Sequence, residues 1–165
     1  TLMGAKPAAV YRLVENPYVD LYLRSKRTEL YPGGLFARGK VSGVMAGHDT
    51  ARMIGAYVRQ GGRLGFLADL QDKKGVEAPF FGKMSKTTSI PAMLARRLGA
   101  RLWIGRCIRV GKGSHFRIAM QELQVPWTED PDADIRAVTA AMQAQFEVWI
   151  REHPEQWMWS NRRWS

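Results

Sequence analysis

The chain has 165 residues, of which 45% are hydrophobic, and its 25 Lys and Arg against 15 Asp and Glu give a formal net charge of +10. This length suits one compact domain with a buried core, so we predict a single domain over residues 1–165. The charge favours an anionic partner, such as nucleic acid, a membrane surface or a phosphorylated substrate. The single cysteine, Cys107, excludes an intramolecular disulfide and a multi-cysteine metal site, and we expect no metal.

The sequence shows neither a membrane-spanning segment nor a secretory signal. No apolar run approaches the roughly 20 residues that span a bilayer, and the first residues lack the pattern of a signal peptide. The chain begins with Thr rather than Met, which predicts that it starts inside a larger open reading frame.

The first half of the chain predicts a strand, a helix, a loop, a second helix and a second strand. Residues 8–14 form an apolar stretch typical of a buried strand, and Asn16 with Pro17 predicts the start of a helix that continues to about residue 30. Five glycines in residues 31–47 favour a loop with room for one short strand. We expect Asp49 to cap a helix over residues 50–60, which Gly61 and Gly62 end before a strand over residues 64–68.

The second half predicts a loop, a helix, a hairpin and a long helix. We expect a charged loop over residues 70–86, then a helix capped near Ser89 and closed by Gly99. Residues 101–110 and 115–122 predict a hairpin around Gly111-Lys112-Gly113-Ser114. Apolar residues at helical spacing predict the longest helix over residues 132–152, and Pro154 ends it. Strands that alternate with helices indicate an α/β fold, with a mixed sheet flanked by helices.

Three blocks of sequence carry a family resemblance. The first contains Val10-Tyr11-Arg12, Asn16-Pro17-Tyr18-Val19-Asp20 and Arg27. The second contains Gly-Gly-Arg-Leu-Gly-Phe-Leu-Ala-Asp at 61–69, Gly75-Val76, Pro79-Phe80-Phe81-Gly82, Thr87 and Thr88. The third contains Pro-Glu-Gln-Trp-Met-Trp at 154–159 and Arg162-Arg163-Trp164. In this order, the blocks resemble the C-terminal portion of the bacterial lipid A biosynthesis late acyltransferases, the lauroyl and myristoyl acyltransferases of lipopolysaccharide synthesis.

The resemblance implies a glycerolipid acyltransferase-like fold that is incomplete at its N-terminus. It implies transfer of a fatty acyl chain from an acyl carrier protein thioester to a hydroxyl of a lipid A precursor, which is an anionic glycolipid. It also implies a peripheral enzyme at a membrane surface, the cytoplasmic face of the bacterial inner membrane, with no cofactor. A glycerolipid acyltransferase of the wider superfamily is an alternative, and the Pro-Glu-Gln-Trp-Met-Trp ending favours the lipid A branch.

The catalytic motif of that family, His-x-x-x-x-Asp/Glu, is missing from the 165 residues. In the motif, the histidine activates the acceptor hydroxyl and the carboxylate orients the imidazole. The residues five positions after His48, His115 and His153 are all methionines. We therefore assign no catalytic residue, and we expect no acyl transfer by this chain alone. His48 and Asp49 are adjacent and do not suit a catalytic pair, because neighbours on an extended segment point to opposite faces.

Five residues are candidates for substrate binding: Arg27, Asp69, Gln71, Phe80 and Phe81. The resemblance implies that Arg27 binds a phosphate or carboxylate, which its planar guanidinium suits, and the alternative is an exposed helix arginine. Asp69 follows a predicted strand, where α/β sheets place binding residues, and a structural turn aspartate is the equal alternative. Gln71 lies near Asp69 and is a candidate to face the substrate, and the alternative is a polar residue of a solvated loop. The two phenylalanines suit the wall of an acyl pocket or the core.

The C-terminal residues Trp157, Trp159, Arg162, Arg163 and Trp164 suit a membrane interface. Indole rings lie at the headgroup level of a bilayer, and cations meet anionic lipids there. The alternative is a C-terminal segment that folds back on the core. Cys107 alternates within a predicted strand, so we expect it to be a small core residue and not a nucleophile.

Two other functions remain open on the sequence. A non-catalytic homologue that binds lipid or a partner enzyme keeps the fold without the chemistry. A nucleic-acid-binding module is suggested by the charge and by the 10% aromatic content. Because the cations are scattered and no nucleic-acid motif occurs, we expect no nucleic acid partner, and a salt titration with duplex DNA and single-stranded RNA distinguishes the two cases.

Overall fold

A computed structural model describes residues 6–38 and 47–164. The chain forms two compact units, Thr1–Leu67 and Ala68–Ser165. The predicted α/β class is confirmed, and in the described residues the parallel and the antiparallel strands lie in separate sheets. The single domain predicted over residues 1–165 stays a prediction beside this division.

The first unit is a parallel sheet connected through helices. Its elements are β1 (Pro7–Arg12), α1 (Pro17–Thr28), β2 (Gly34–Arg38), α2 (Gly47–Arg59) and β3 (Arg63–Gly65). The strand order is β2-β1-β3, with both pairs parallel. Parallel neighbours need a crossover connection, and α1 and α2 provide the two crossovers. The expected short strand in the glycine-rich stretch is β2.

The turn between β1 and α1 explains the first sequence block. The Asn16 Oδ1 atom accepts hydrogen bonds from the backbone N–H groups of Tyr18 and Val19, which caps α1 as predicted. The buried Asp20 accepts 3.1 Å from the Val14 N–H and 3.4 Å from the Tyr11 hydroxyl. Burial is the main reason that the pKa of Tyr11 is raised. Asp20 therefore joins the end of β1 to the start of α1.

Two predicted boundaries in this unit need correction. The helix α2 begins at Gly47, so Asp49 lies in its first turn and does not cap it. An acidic side chain there still interacts favourably with the helix dipole. The strand β3 ends at Gly65, three residues before the predicted end.

The second unit contains two hairpins and two helices. Its elements are β4 (Gln71–Phe80), β5 (Lys83–Thr87), α3 (Ile90–Leu98), β6 (Leu102–Val110), β7 (His115–Leu123), α4 (Pro131–Glu152) and a 3₁₀ turn (Pro154–Gln156). The hairpins are β4–β5 and β6–β7. The core residues come from α3, β6, α4 and the start of the unit: Ala68, Ala92, Ala95, Leu102, Ile104, Ile135, Val138 and Met142.

The loop predicted over residues 70–86 is wrong, because this stretch forms the β4–β5 hairpin. The pairing shifts register between Gln71 and Val76, so an irregular segment interrupts the alternation by which a strand is recognised. Gly75 lies in that segment, and a Cβ atom added to it would be 1.9 Å from the Thr87 carbonyl oxygen. Only glycine fits there without a backbone shift.

The helix α4 is anchored at its start by a buried ion pair. Asp130 caps the helix and Pro131 opens it, one residue before the predicted start. The Arg96 Nε atom donates 2.6 Å to Asp134 Oδ2, and the Thr128 hydroxyl donates 2.8 Å to Asp134 Oδ1. Burial acts to raise the pKa of Asp134, but the hydrogen bonds from Arg96 and Thr128 outweigh it, so the pKa is lowered.

The β6–β7 hairpin extends beyond the core. Leu102 and Ile104 face the core at one end, whereas Cys107, nearer the turn, is exposed. The prediction of Cys107 as a core residue is therefore wrong. Alternation in a strand indicates which residues share a face, but it does not indicate how far along the strand the core extends.

Candidate functional site

The last described residues fold back on the second unit. We call residues 154–164 the C-terminal strap. Its Gln156 side chain accepts 2.8 Å from the Arg109 N–H and donates 3.2 Å to the Arg109 carbonyl, which satisfies the backbone of β6 at that point. Further along, Trp157 Nε1 donates 2.9 Å to Asp69 Oδ2, and Trp164 Nε1 donates 3.1 Å to the Phe80 carbonyl. The strap thereby brings the second and third sequence blocks together.

Asp69 lies at the start of the second unit and is partly buried. The residue before it is also fixed, because Gln143 Nε2 donates 3.0 Å to the Ala68 carbonyl. The strand-end position predicted for Asp69 is not observed, since β3 ends at Gly65. Its carboxylate instead accepts a hydrogen bond from Trp157 of the strap, which is a structural contact other than the turn cap given as the alternative.

An aromatic cluster surrounds Phe80. We use this name for Phe80, Phe81, Trp157, Trp159 and Trp164. The Phe80 ring is fully buried and lies 4.9 Å from Phe81, 5.7 Å from Trp164 and 5.9 Å from Trp157, centroid to centroid. The rings of Trp157 and Trp159 meet edge to face at 4.6 Å. Because Phe80 is enclosed, the accessible rings of the cluster are Phe81 and the tryptophans.

Phe81 is held in an unusual backbone conformation. It forms the two-residue turn of the β4–β5 hairpin with Gly82, and both residues have positive φ, 51° and 74°. Such turns favour Asn-Gly or Gly-Gly, and a left-handed conformation costs a residue with a Cβ roughly 1–2 kcal/mol. The Arg151 guanidinium stacks 4.5 Å from the centre of the Phe81 ring, and the ring centres of Trp159 and Trp164 lie 6.3 and 6.4 Å from it. Packing therefore holds a strained residue at the partly exposed edge of the cluster.

Arg163 lies beneath the cluster and is 1% exposed. Its Nη2 donates 2.7 Å to Gln143 Oε1, its Nη1 donates to the Ser85 hydroxyl and to the Lys86 carbonyl, and its guanidinium stacks 4.5 Å from the Phe80 ring centre. Burial lowers the pKa of Arg163, and the charge of Asp69 opposes this shift. Over residues 6–38 and 47–164, no carboxylate forms an ion pair with it.

This burial corrects the expectation that Arg163 lies at a membrane interface. A guanidinium enclosed by Ser85, Gln143 and Phe80 cannot reach lipid headgroups in this conformation, and Arg163 instead fixes the strap to β5 and α4. The neighbouring Arg162 is exposed, and so is Trp159. For these two residues the membrane interface stays a prediction.

Two predicted binding residues are not members of the cluster. Arg27 is exposed in the last turn of α1, in the first unit. Gln71 opens β4 and pairs with Thr87 across the hairpin, at the end opposite the Phe81 turn.

Sequence reasoning missed Ser85 and Gln143, which hold Arg163. Both are buried polar residues, at 4% and 0% exposure. Gln143 follows Met142 on the buried stripe of α4, and a polar side chain at such a position needs a partner. That signal was available, but only the fold indicates that the partner comes from the strap.

The described residues contain no group of three His, Cys, Asp or Glu side chains that could hold a metal ion. His153 Nδ1 lies 3.5 Å from Glu155 Oε1, two residues away at the exposed start of the strap. The side chain of His48 lies outside the described residues. Among the helices that the structure describes, none is both long and apolar enough to span a membrane.

Comparison of the sequence with known proteins shows the family of the chain. The sequence is similar to the phosphatidylinositol mannoside acyltransferases of Mycobacterium tuberculosis, 30% identical over 92 residues, and of Mycolicibacterium smegmatis, 28% identical over 92 residues. Each match covers 56% of this chain but only 27% and 28% of the two relatives, little more than a quarter of their length. The family model described as bacterial lipid A biosynthesis acyltransferase matches residues 2–165. Because that match extends over almost all 165 residues, the chain belongs to the bacterial lipid A biosynthesis acyltransferase family.

Proposed function

We propose that the protein transfers a fatty acyl chain from an acyl carrier protein thioester to a hydroxyl of a lipid A precursor, as a peripheral enzyme at the cytoplasmic face of the bacterial inner membrane. The observation that carries this proposal is the family match over residues 2–165. In the reaction, the acceptor oxygen attacks the thioester carbonyl, an ester C–O bond forms and the C–S bond breaks. The proton of the hydroxyl leaves through a base, and the carrier thiol is released.

The chain supplies binding surfaces for this reaction. The exposed edge of the aromatic cluster, formed by Phe81 and Trp159, is apolar enough to contact a hydrocarbon chain. Arg151 lies against Phe81 and provides a cation beside that edge. A phosphorylated carrier or acceptor and an acyl tail need this combination of charge and apolar surface. Arg27 remains the proposed phosphate ligand of the first unit.

The base of the reaction is not supplied by these 165 residues, since none of the three histidines precedes an acidic residue at the family spacing. We therefore expect no acyl transfer by the 165-residue chain and transfer by the product of the complete gene. Both are assayed with radiolabelled acyl chains on acyl carrier protein and on coenzyme A. Transfer by the 165-residue chain alone would contradict this division of roles. No transfer by the complete product on any acceptor favours the alternative, a non-catalytic homologue that binds lipid.

The acceptor is tested in the same assay. The curated relatives of the chain are named for acyl transfer to phosphatidylinositol mannosides, which are also anionic glycolipids. We expect a lipid A precursor to be acylated faster than a phosphatidylinositol mannoside. The reverse preference retains the chemistry and overturns the proposed acceptor.

A matched pair of variants tests the aromatic edge. In the complete product, Trp159→Leu removes a ring that is 53% exposed, and Met158→Leu changes its 64% exposed neighbour. If the acyl chain contacts Trp159, losing that apolar contact lowers kcat/KM by about tenfold. Met158→Leu leaves kcat/KM unchanged. Equal kcat/KM values for the two variants would show that Trp159 is not part of the binding surface.

A further inference from the structure

The β6–β7 hairpin has an exposed apolar face that the proposed reaction does not use. We call this the ribbon face, and its residues are Trp103, Cys107, Phe116, Ile118 and Met120. The exposed fractions are 46% for Trp103, 53% for Phe116, 71% for Ile118 and 63% for Met120, and Cys107 is exposed as well. Scattered apolar side chains are normal on a protein surface, but a contiguous exposed group indicates a contact surface.

The strand register shows that these residues share one side. Cys107 pairs with Ile118, and residues at a spacing of two follow on the same face of each strand. Leu102 and Ile104, which point the other way, are buried in the core. Gly105 pairs with Met120, and a Cβ atom at Gly105 would lie 3.4 Å from Met120 Cγ, so the methionine lies across the glycine. The result is a continuous apolar stripe along the hairpin.

Cations border the stripe at both ends. Residues 101–123 contain five Arg and Lys against one acidic residue, Glu122, but Arg106 and Arg117 lie on the opposite face and Arg106 forms an ion pair with Glu152. The Glu122 carboxylate accepts two hydrogen bonds from Arg101, at 2.6 and 2.7 Å, which offsets its charge. The Arg101 guanidinium lies 5.2 Å from the Trp103 ring centre, and the Arg109 guanidinium lies 5.1 Å from that of Phe116. The ring of Phe116 therefore has a cation beside it, the charge of Arg101 beside Trp103 is balanced by Glu122, and the middle is aliphatic.

We infer that the ribbon face docks on the surface of an anionic lipid bilayer. Amphipathic rings and guanidinium groups at the ends match the headgroup level, and Cys107, Ile118 and Met120 would enter the acyl-chain boundary. Arg109 on the ribbon face and Lys112 in the hairpin turn complement anionic lipids. A nucleic acid would meet the same cations but offers no hydrocarbon for the aliphatic middle. This inference adds a second contact surface to the proposed membrane association, separate from the C-terminal strap.

The position of the single cysteine allows a direct measurement on the full chain. We label Cys107 with a polarity-sensitive fluorophore and add vesicles of phosphatidylcholine with or without phosphatidylglycerol. The expected result is a blue shift with the anionic vesicles only, quenched by lipids that carry a quencher just below the headgroup. No shift while the protein cosediments with the vesicles would assign the contact to another surface. A blue-shifted emission without lipid that depends on protein concentration would assign the face to a second copy of the chain.

Matched variants separate the ribbon face from general adhesion. Met120→Ser removes a 63% exposed methionine from the face, and Met84→Ser removes a 58% exposed methionine from β5. We expect the first to lower vesicle partitioning by about tenfold and the second to leave it unchanged. Lys112→Gln, in the hairpin turn, should lower partitioning about fivefold, and Lys83→Gln, just after the other hairpin turn, should not. Equal effects within both pairs would overturn the inference.

Failure of this inference is distinct from failure of the proposed function. Vesicle partitioning is measured without an acyl donor, and acyl transfer is measured on an acceptor dispersed in detergent. Loss of partitioning with retained transfer is the expected pattern for the complete product that carries Met120→Ser. A loss of detergent-phase transfer in the same variant would instead assign Met120 to the folding or the substrate site.

Discussion

The indole Nε1 atom of Trp157 lies 2.9 Å from the Asp69 carboxylate, across 88 residues of sequence. This hydrogen bond joins the start of the second unit to the C-terminal strap. Two side chains of the Pro-Glu-Gln-Trp-Met-Trp signature have structural roles in the fold. Gln156 accepts a hydrogen bond from the backbone of β6, and Trp157 donates one to Asp69. Both contacts fix the direction in which the strap returns to the aromatic cluster.

Replacing Trp157 with phenylalanine tests this contact. Trp157→Phe retains a ring near Phe80 but removes the indole N–H, so the partly buried Asp69 carboxylate loses its donor. We expect the free energy of unfolding to fall by about 1.5 kcal/mol, measured by urea denaturation. Asp69→Asn is the companion change, because its amide oxygen still accepts from Trp157. If Asp69→Asn costs as much stability as Trp157→Phe, the charge of Asp69 matters more than the hydrogen bond.

Replacing the two adjacent arginines of the strap should change the free energy of unfolding by different amounts. Arg163→Met removes a buried guanidinium and leaves the polar atoms of Ser85 and Gln143 without their donor. We expect a loss of about 2–3 kcal/mol in the free energy of unfolding. Arg162→Met changes an exposed neighbour and should stay within about 0.5 kcal/mol of the unmodified chain. A small effect of Arg163→Met would mean that the buried cation is no more stabilising than the apolar side chain that replaces it.

Local signals in the sequence predict most of the secondary structure. Asn16 and Pro17 start α1, Gly99 ends α3 with a φ of 68°, and the spacing of apolar residues identifies α4. The β4–β5 hairpin escaped prediction because its evidence is not local. Its strands shift register between Gln71 and Val76, where Gly75 lies close to the Thr87 carbonyl, and this contact is between residues distant in sequence.

The candidate site is predictable only in part. The blocks indicate that Phe80, Trp157 and Trp164 matter, but composition cannot distinguish a membrane-facing tryptophan from one that closes a core. For Arg163 the fold distinguishes a buried residue from one at a membrane interface, because its partners Ser85 and Gln143 come from β5 and α4. Exposure is a property of the assembled unit, and for the same reason the sequence predicts Cys107 in the core although it lies on the ribbon face.

The two glycines of the β4–β5 hairpin predict different costs when replaced by alanine. Gly82 has a φ of 74°, and an added Cβ meets nothing within 4 Å, so Gly82→Ala costs only backbone strain, about 1 kcal/mol. Gly75→Ala places a methyl group 1.9 Å from the Thr87 carbonyl oxygen, so the two strands must move apart. We expect its cost to exceed about 2 kcal/mol in urea denaturation. Equal costs would indicate that the bulge around Gly75 relaxes freely.

The ion pair between Asp134 and Arg96 predicts how stability depends on pH. The folded-state pKa of Asp134 is lowered, so the unfolded chain binds a proton at this carboxyl more readily than the folded chain. Its contribution is therefore present above the unfolded pKa, near about 4, and is lost as the pH falls through the lower folded pKa. Asp134→Asn should lower the melting temperature most at neutral pH, and the difference from the unmodified chain should shrink below about pH 4.

The matched control for this ion pair is Asp132→Asn, which changes an exposed carboxylate in the same first turn of α4. Exposed ion pairs contribute little, so this variant should follow the unmodified chain at every pH. Melting temperatures of the three proteins measured from pH 3 to pH 7 distinguish the two positions. A constant difference across that range for Asp134→Asn would show that its effect comes from packing or neutral hydrogen bonds and not from the charge that Arg96 stabilises.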